Sequence, residues 1–237
     1  MIKQLCLAGL CVLLLAGCGA GQTTTEPASA QMSVTSENSA TVKSAQPVKV
    51  ACVGDSNTEG YGSTSYTNYL AQRLGDHYVV TNYGESGTTA VHSYGYPYIN
   101  CDAYKRSLNA SPDVVVLMFG TNDTTNWHNK DTFEAEYDEL VTTYMNLDSK
   151  PRVILCTPPA PHLDDTPGVK HSGVQPAVYG DLIKAIRETA DKYDLTLVDV
   201  YTLTKNYPDW FLDDGIHLAE QGANAVAVAV ANAIAGR

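Results

Sequence analysis

Residues 48–60, VKVACVGDSNTEG, decide how the rest of the chain is arranged. Small and β-branched apolar residues at its start are typical of a buried β-strand, and Gly54 marks the end of that strand. Ser56 follows in a polar turn. Open α/β sheets place their ligand sites in the crevice beyond the carboxyl ends of the strands. Ser56 is therefore a candidate for chemistry, although serine is also common in turns and at helix starts.

Strand-like and helix-like segments alternate after this stretch. The helix-like segments carry apolar residues three and four positions apart, most clearly in residues 133–144. This alternation predicts a parallel sheet covered by helices on both faces, which is an α/β fold. The predicted strands are 48–53, 78–82, 114–119, 152–156 and 196–200. The predicted helices are 65–74, 103–108, 132–147, 177–193 and 219–235.

The first 47 residues are expected to lie outside this fold. Residues 1–17 contain an apolar run that is too short to span a bilayer comfortably, and they end in Leu-Ala-Gly directly before Cys18. This site resembles the lipobox of bacterial lipoproteins, which implies lipidation of Cys18 and anchoring to the cell envelope. The alternatives are an uncleaved anchor or a plain secretory signal. Residues 18–47 contain no aromatic residue and are predicted to be a disordered tether.

The composition indicates a protein that forms a core. Of the 237 residues, 44% are hydrophobic and 17% are charged, as in globular proteins. Residues 48–237 are enough for one domain. The formal net charge of −11 and the lack of any basic run argue against a nucleic-acid partner.

Three cysteines follow the N-terminal segment. Cys52 and Cys156 lie in the first and fourth predicted strands. With a strand order of 2-1-3-4-5, the third strand separates them by two strand spacings, which is too far for a disulfide. We therefore expect both to be buried thiols, and Cys101 has no assigned role.

Residue types that acyl transfer requires follow four of the five predicted strands. Ser56 follows the first strand, Gly84 follows the second within NYGESG, and Asn122 follows the third within GTND. Asp214 and His217 follow the fifth within DDGIH, just before the last helix. Because the carboxyl ends of parallel strands share one edge of the sheet, these residues are expected to converge there.

Together these residues can support hydrolysis through a serine nucleophile. Ser56 would attack, His217 would take its proton, and Asp214 would orient the imidazole. The backbone N–H groups of Ser56 and Gly84 and the side-chain amide of Asn122 would stabilise the oxyanion of the tetrahedral intermediate.

Further carboxylates adjoin these motifs. Asp213 is an alternative orienting acid, but Asp214 is preferred because a spacing of three residues lets it face His217 within one helical turn. Asp55 and Asp123 are expected to brace the loops beside the candidate site.

The proline-rich loop of residues 157–175 follows the fourth strand and is placed to cover the site. It contains His162, His171, Asp164 and Asp165, but their spacing matches no metal site. Neither a metal nor another cofactor is therefore expected.

The four motifs resemble those of the SGNH (GDSL-type) hydrolase family. The family's blocks occur here in its order, as GDSN around Ser56, NYGESG around Gly84, GTND around Asn122 and DGIH from Asp214 to His217. The resemblance spans nearly the whole domain. It implies a flavodoxin-like three-layer α/β/α sandwich with a five-stranded parallel sheet, and it agrees with the roles assigned above.

Two positions in the first block bear on this resemblance. Asn57 departs from the leucine that many members carry after the nucleophile, and it is expected to tune the site without removing a catalytic group. The G-x-S-x-G motif of α/β-hydrolases fits less well, because it requires glycine where Thr58 stands.

The substrate is predicted from a looser resemblance. The segments PYINCDAYKRSL, GTNDTTNW and LCTPPAP are similar to the sialate O-acetylesterase-like and carbohydrate acetylesterase members of the family, which implies removal of O-acetyl groups from a glycan. Several aromatic side chains follow the second and third strands, and each is either a surface on which a sugar ring stacks or part of the packing of the domain. They are Tyr94, Tyr96, Tyr98, Trp127 and His128. The alternatives are a lysophospholipase or acyl-thioesterase that takes longer acyl chains, and a non-catalytic glycan-binding lipoprotein.

Overall fold

The computed structural model describes residues 46–60, 64–164 and 173–236. The predicted signal peptide of residues 1–17, Cys18 and the tether as far as residue 45 lie outside these ranges, as do Asp165 and His171. Within the described ranges, no helix combines the length and apolar character needed to cross a bilayer.

A five-stranded parallel sheet forms the centre of the domain, in the order β2-β1-β3-β4-β5. This order and the all-parallel pairing confirm the predicted α/β fold. It also places β3 between the strands that carry Cys52 and Cys156, and both cysteines are free and buried. The strands are β1 Val48–Gly54, β2 Tyr78–Gly84, β3 Val114–Met118, β4 Arg152–Cys156 and β5 Thr196–Val198.

Helices connect the strands and cover both faces of the sheet. All five predicted helices are present, with ends shifted by at most two residues. Two further helices, α1 and α6, have only four and five residues, which is too short for apolar periodicity to reveal. The helices are α1 Ser56–Glu59, α2 Tyr66–Leu74, α3 Asp102–Asn109, α4 Lys130–Met145, α5 Tyr179–Lys192, α6 Val200–Thr204 and α7 Glu220–Ala235.

The central strand β3 shows why the core has two layers. Val115 and Leu117 pack with buried residues of α4 and α5, whereas Val116 and Met118 pack with buried residues of α2 and α7. Successive side chains of a strand point to opposite faces, so a strand covered on both faces must be apolar throughout. All five residues of β3 are buried accordingly.

The strand register brings the loops that follow β1, β2 and β3 to one edge of the sheet. Gly54, the last residue of β1, pairs with Gly84 of β2 and with Met118 of β3. These three strands therefore end level with one another. The fifth strand is shorter than predicted, because Asp199 caps α6 by accepting the N–H of Thr202 at 3.0 Å.

Candidate active site

Ser56 is the first residue of α1, which begins one residue after β1. Asp55 caps this helix: its carboxylate accepts the N–H of Asn57 at 2.9 Å. Position 54, the last of β1, has room only for glycine. A Cβ there would lie 2.2 Å from Thr58 Oγ1 and 2.4 Å from the carbonyl oxygen of Met118. Ser56 is 7% exposed at the edge of the sheet.

The structure brings Asp214, His217 and Ser56 into one chain of hydrogen bonds. His217 Nδ1 lies 2.6 Å from Asp214 Oδ2, and His217 Nε2 lies 2.9 Å from Ser56 Oγ. Asp214 Oδ1 also accepts the backbone N–H groups of Ile216 and His217, each at 2.9 Å. Asp213, by contrast, is exposed. The contact of Asp214 with the His217 ring therefore fits the prediction that Asp214 is the orienting acid.

The electrostatics of Asp214 suit this position. Desolvation raises the pKa of its carboxyl group, but the hydrogen bonds from His217 and Ile216 and the nearby imidazole outweigh desolvation, so the pKa is lowered overall. Asp214 is therefore ionised near neutral pH and acts only as an acceptor toward Nδ1. This arrangement leaves the lone pair of Nε2 directed at the Ser56 hydroxyl.

The loop that carries Asp214 and His217 is fixed by its own backbone. Phe211 and Leu218 form an antiparallel bridge, and Gly215 has φ 67° with its carbonyl accepting the His162 N–H at 2.7 Å. A Cβ on Gly215 would lie 1.9 Å from the carbonyl oxygen of His162, so this turn requires glycine.

His162 also contacts the loop that carries Asp214 and His217. Its ring packs against Phe211 with a centroid distance of 4.8 Å, and its Nε2 lies 3.2 Å from the carbonyl oxygen of Thr204. Among the residues that the structure describes, no three His, Cys, Asp or Glu side chains are grouped as metal ligands. The contacts of His162 are structural.

Asn122 lies at the start of a 3₁₀ segment, Asn122–Asn126, directly beyond β3. Its Nδ2 donates one hydrogen bond to the carbonyl oxygen of Thr88 at 3.0 Å. An amide nitrogen carries two hydrogens, so this contact orients the group and leaves the second hydrogen for a ligand. The structure therefore allows the predicted donor role of Asn122.

Asp123 attaches the loop after β2 to the same 3₁₀ segment. Its two carboxylate oxygens accept the backbone N–H groups of Ala90 and Val91, at 3.2 and 3.1 Å. Together with the contact from Asn122 to Thr88, these bonds hold residues 88–91 against the end of β3. Asp55 and Asp123 brace the loops as predicted.

The predicted role of Gly84 in the oxyanion hole is corrected by the structure. Its N–H donates to Asn82 Oδ1 at 2.8 Å, and it belongs to the last residue pair of the β1–β2 ladder. A Cβ on Gly84 would lie 2.1 Å from the backbone nitrogen of Glu59. Glycine is therefore needed here so that β2 can approach α1, and its N–H is already engaged.

Gly87, three residues after Gly84, is the better placed of the two glycines for the predicted donor role. It is exposed on the loop that Thr88 ties to Asn122, and it has φ 78°. Apart from its chain neighbours, none of the described residues has a heavy atom within 4 Å of the position of a Cβ. Glu59 holds the start of this loop by binding the N–H and hydroxyl of Ser86. Glycine followed by polar residues in a tight turn, just past a strand, was the sequence signal for this position.

Burial sets the ionisation of the two bracing aspartates. Desolvation raises the pKa of Asp55 to about 7, with the nearby Asp123 carboxylate adding to the rise and the Asn57 N–H opposing it. Desolvation likewise raises the pKa of Asp123 to about 7, against the hydrogen bonds from Val91 and Ala90. Both groups change charge near neutral pH.

We expect Asp55→Asn to flatten the pH dependence of stability. An aspartate in the unfolded chain has a pKa of about 3.9, so between pH 4 and 7 the folded protein holds a proton that the unfolded chain lacks. Its free energy of unfolding should therefore fall as pH rises, by up to about 1.4 kcal/mol per unit for this group. Asparagine keeps the helix cap without titrating. Urea unfolding of both proteins between pH 5 and 8 tests this, and parallel curves would contradict it.

The aromatic residues beyond β2 and β3 mostly pack. Tyr98 is fully buried and its hydroxyl donates to the carbonyl oxygen of Tyr83 at 2.6 Å. Tyr94 is buried against the ring of His128, at a centroid distance of 4.4 Å. Stacking of Tyr94 and Tyr98 on a sugar is therefore excluded, whereas Tyr96 is 51% exposed. Trp127 contacts Phe133 in the core, at 5.6 Å between centroids.

Comparisons with known proteins agree with this geometry. The profile described as the GDSL-like lipase/acylhydrolase family matches residues 52–225. The chain is 32% identical over 213 residues to an acetylxylan esterase of Xylanibacter ruminicola, an alignment that covers 79% of this chain and 43% of that protein. The chain thus spans less than half the length of this relative.

Solved structures share the fold. A lipase/acylhydrolase from Enterococcus faecalis superposes with a TM-score of 0.63 at 24% identity, covering 80% of this chain and 96% of that one. A carbohydrate acetylesterase family member from Sinorhizobium meliloti superposes with a TM-score of 0.62 at 20% identity, covering 79% of this chain and 97% of that one.

Proposed function

We propose that this chain, which belongs to the GDSL-like lipase/acylhydrolase family, is a serine esterase that removes O-acetyl groups from a carbohydrate. The observation that carries the proposal is the continuous chain of hydrogen bonds from Asp214 through His217 to Ser56, at 2.6 and 2.9 Å. A serine hydroxyl is a weak nucleophile unless a neighbouring base takes its proton, and this arrangement supplies the base and the group that orients it.

Acylation begins when Ser56 Oγ attacks the ester carbonyl carbon and its proton passes to His217 Nε2. Asp214 stabilises the imidazolium through Nδ1–H. His217 then protonates the departing sugar oxygen, which leaves an acetyl group on Ser56. In the second half of the reaction His217 takes a proton from water, the hydroxide attacks the acetyl carbonyl, and acetate leaves as Ser56 recovers its proton.

Negative charge on the tetrahedral intermediate requires donors on the opposite side of the reacting carbon. We assign these to the backbone N–H of Ser56, the second amide hydrogen of Asn122 and, in place of Gly84, the backbone N–H of Gly87. Their fixed positions are what makes such donors effective, because no reorganisation is needed when the charge forms. The contacts from Asn122 and Asp123 to residues 88–91 supply that fixation.

Asn122→Ala is expected to lower kcat by about 10²- to 10³-fold with little change in KM. The amide stabilises charge that exists only in the transition state, so its loss should not weaken binding of the ground state. Asn126→Ala is the matched control, since Asn126 lies exposed on the same 3₁₀ segment and should leave kcat unchanged. Steady-state kinetics with p-nitrophenyl acetate measure both; a rise in KM alone would remove Asn122 from the oxyanion hole.

A carbohydrate acetate is the substrate that the relatives favour. The curated relative is named as an acetylxylan esterase, and one of the similar structures is described as a carbohydrate acetylesterase family member. The exposed Tyr96 offers one aromatic face beyond β2 for a sugar ring.

The proposal also includes the cell envelope as the place of action. Residues 1–17 would direct export and Cys18 would carry the lipid anchor, because Leu-Ala-Gly precedes this cysteine. Residues 18–47 would then act as the tether between the lipid and the esterase domain. Metabolic labelling with palmitate tests this: label should enter the protein and be lost in Cys18→Ala, and an unlabelled wild-type protein would refute the anchor.

The decisive experiment measures hydrolysis of p-nitrophenyl esters with acyl chains of two, four, eight and twelve carbons, followed by release of acetate from acetylated xylan. A steep preference for the two-carbon ester and acetate release from the glycan are expected. A preference for eight or more carbons would instead support a lysophospholipase or acyl-thioesterase. If no ester is hydrolysed, the remaining alternative is a non-catalytic glycan-binding lipoprotein.

A further inference from the structure

Asn57, the residue after the candidate nucleophile, makes a contact across the site. It is 4% exposed, and its side-chain Oδ1 accepts the backbone N–H of Leu218 at 3.3 Å. Leu218 directly follows His217. The bond from Asn57 therefore joins the start of α1 to the loop that carries His217. The bond between Ser56 Oγ and His217 Nε2 joins the same two segments, and each bond spans 161 positions of the chain.

The direction of the Asn57 amide follows from its partner. A backbone N–H can only donate, so the atom that faces Leu218 must be the oxygen. The nitrogen then faces away, buried and without a hydrogen-bond partner among the described residues. Asn57 also lines a cavity of about 10 Å³ beside the site, together with Ser56, Tyr66, His217 and other residues.

Packing alone does not account for an amide at this position. Leucine has nearly the same shape and would remove the buried, unpaired Nδ2 donor, which costs stability in the wild type, although it would leave the N–H of Leu218 without its acceptor. The cap of α1 does not require asparagine either, because the bond to Asp55 comes from the backbone N–H of Asn57. What a leucine would lose is the hydrogen bond to Leu218.

Several other hydrogen bonds of this loop lie within it. Asp214 binds the N–H groups of Ile216 and His217, and Leu212 donates its N–H to the carbonyl oxygen of His217 at 2.8 Å. These bonds fix the imidazole relative to its own loop but do not set its distance from α1. Proton transfer needs heavy atoms about 2.6–3.2 Å apart, so that distance has to be held by something that spans both segments.

We propose that Asn57 is a positioning residue that holds the His217 loop against α1, so that His217 Nε2 stays within hydrogen-bonding distance of Ser56 Oγ. This inference rests on the proposed function, since it assigns Asn57 a part in activating the same serine. Asn57 acts through the backbone of Leu218 and needs no contact with the substrate.

Asn57→Leu tests the proposal in the full chain. We expect kcat for p-nitrophenyl acetate to fall about tenfold and KM to stay within about twofold, because misplacing a base by a fraction of an ångström already slows a reaction strongly. The melting temperature should change little, because removal of the unpaired Nδ2 offsets the loss of the acceptor for the Leu218 N–H. If the leucine variant does not fold, Asn57→Ala replaces it with the same expectation, as the smaller side chain cannot overpack.

The matched control is Thr58→Val. Thr58 is the next residue of α1, and it is fully buried. The change is again from polar to apolar at nearly constant shape, but the Thr58 side chain makes no hydrogen bond to the His217 loop. Its kcat should equal that of the wild type.

Sulfonylation provides a second readout that a purely structural role would not change. In the reaction with phenylmethanesulfonyl fluoride, Ser56 Oγ attacks sulfur, fluoride leaves and the serine proton passes to His217. Asn57→Leu should slow this reaction by about the same factor as kcat. Wild-type rates in both assays would overturn the proposal, and so would a loss of kcat with unchanged sulfonylation, which would place Asn57 in substrate binding. Failure of the wild type to hydrolyse any ester would refute the proposed function instead.

Discussion

Ser56→Ala is expected to lower kcat/KM by about 10⁴-fold or more, the largest effect of any single change at this site. The hydroxyl supplies the atom that forms the acyl-enzyme, so without it the covalent step is lost. The fold should survive, because Ser56 is the first residue of a helix whose cap and backbone hydrogen bonds do not use its side chain. Alanine is also the best helix former.

A second measurement and a control variant test the same prediction. Mass spectrometry after treatment with phenylmethanesulfonyl fluoride should show one sulfonyl adduct on the wild type and none on Ser56→Ala. Ser93→Ala, at an exposed serine whose backbone N–H binds Glu136, should retain full activity and the adduct. An alanine variant at position 56 that keeps more than a small fraction of the wild-type rate would exclude Ser56 as the nucleophile.

Asp214→Asn should have the second largest effect, a fall in kcat of about 10⁴-fold. The side-chain oxygen of the introduced asparagine can still accept the N–H groups of Ile216 and His217, so the loop should keep its shape. The new amide nitrogen, however, would donate to His217 Nδ1 and force the ring proton onto Nε2. The imidazole would then present a donor to Ser56 and could not act as a base.

Asp213→Asn is the control that the chain itself provides. The adjacent carboxylate is exposed, and its loss should leave kcat unchanged. The lowered pKa keeps Asp214 ionised in the wild type between pH 6 and pH 9, so titration of this carboxyl group adds no pH dependence of its own to the comparison. A strong effect of Asp213→Asn with a weak one at position 214 would reverse the assignment.

Local pattern was enough to predict the architecture. The continuous apolar run of β3 is typical of a buried strand, and the apolar residues three and four positions apart in α4 are typical of a helix. Both patterns are set by neighbours along the chain. The strand order of a doubly wound sheet and the family's motifs then predicted that Ser56, Asn122, Asp214 and His217 would lie at one edge. The structure places all four there, and their catalytic roles stay predictions for the experiments above.

What the sequence could not decide depends on partners far away along the chain. Gly84 and Gly87 are both glycines in the same motif, but the second lies on an exposed turn, whereas the N–H of the first is engaged by Asn82 Oδ1. The side chain of Asn82 is itself oriented by a distant partner, because its Nδ2 donates to the carbonyl oxygen of Thr58 at 2.8 Å. The pKa of Asp55 rises because the folded domain removes it from water, which no local pattern reveals. The bond from Asn57 to Leu218 likewise exists only once α1 and the His217 loop meet. The sequence by itself determined the sheet, its helices and the chemical types at its edge, whereas hydrogen-bond partners and burial, being set by long-range contacts, were decided only by the tertiary structure.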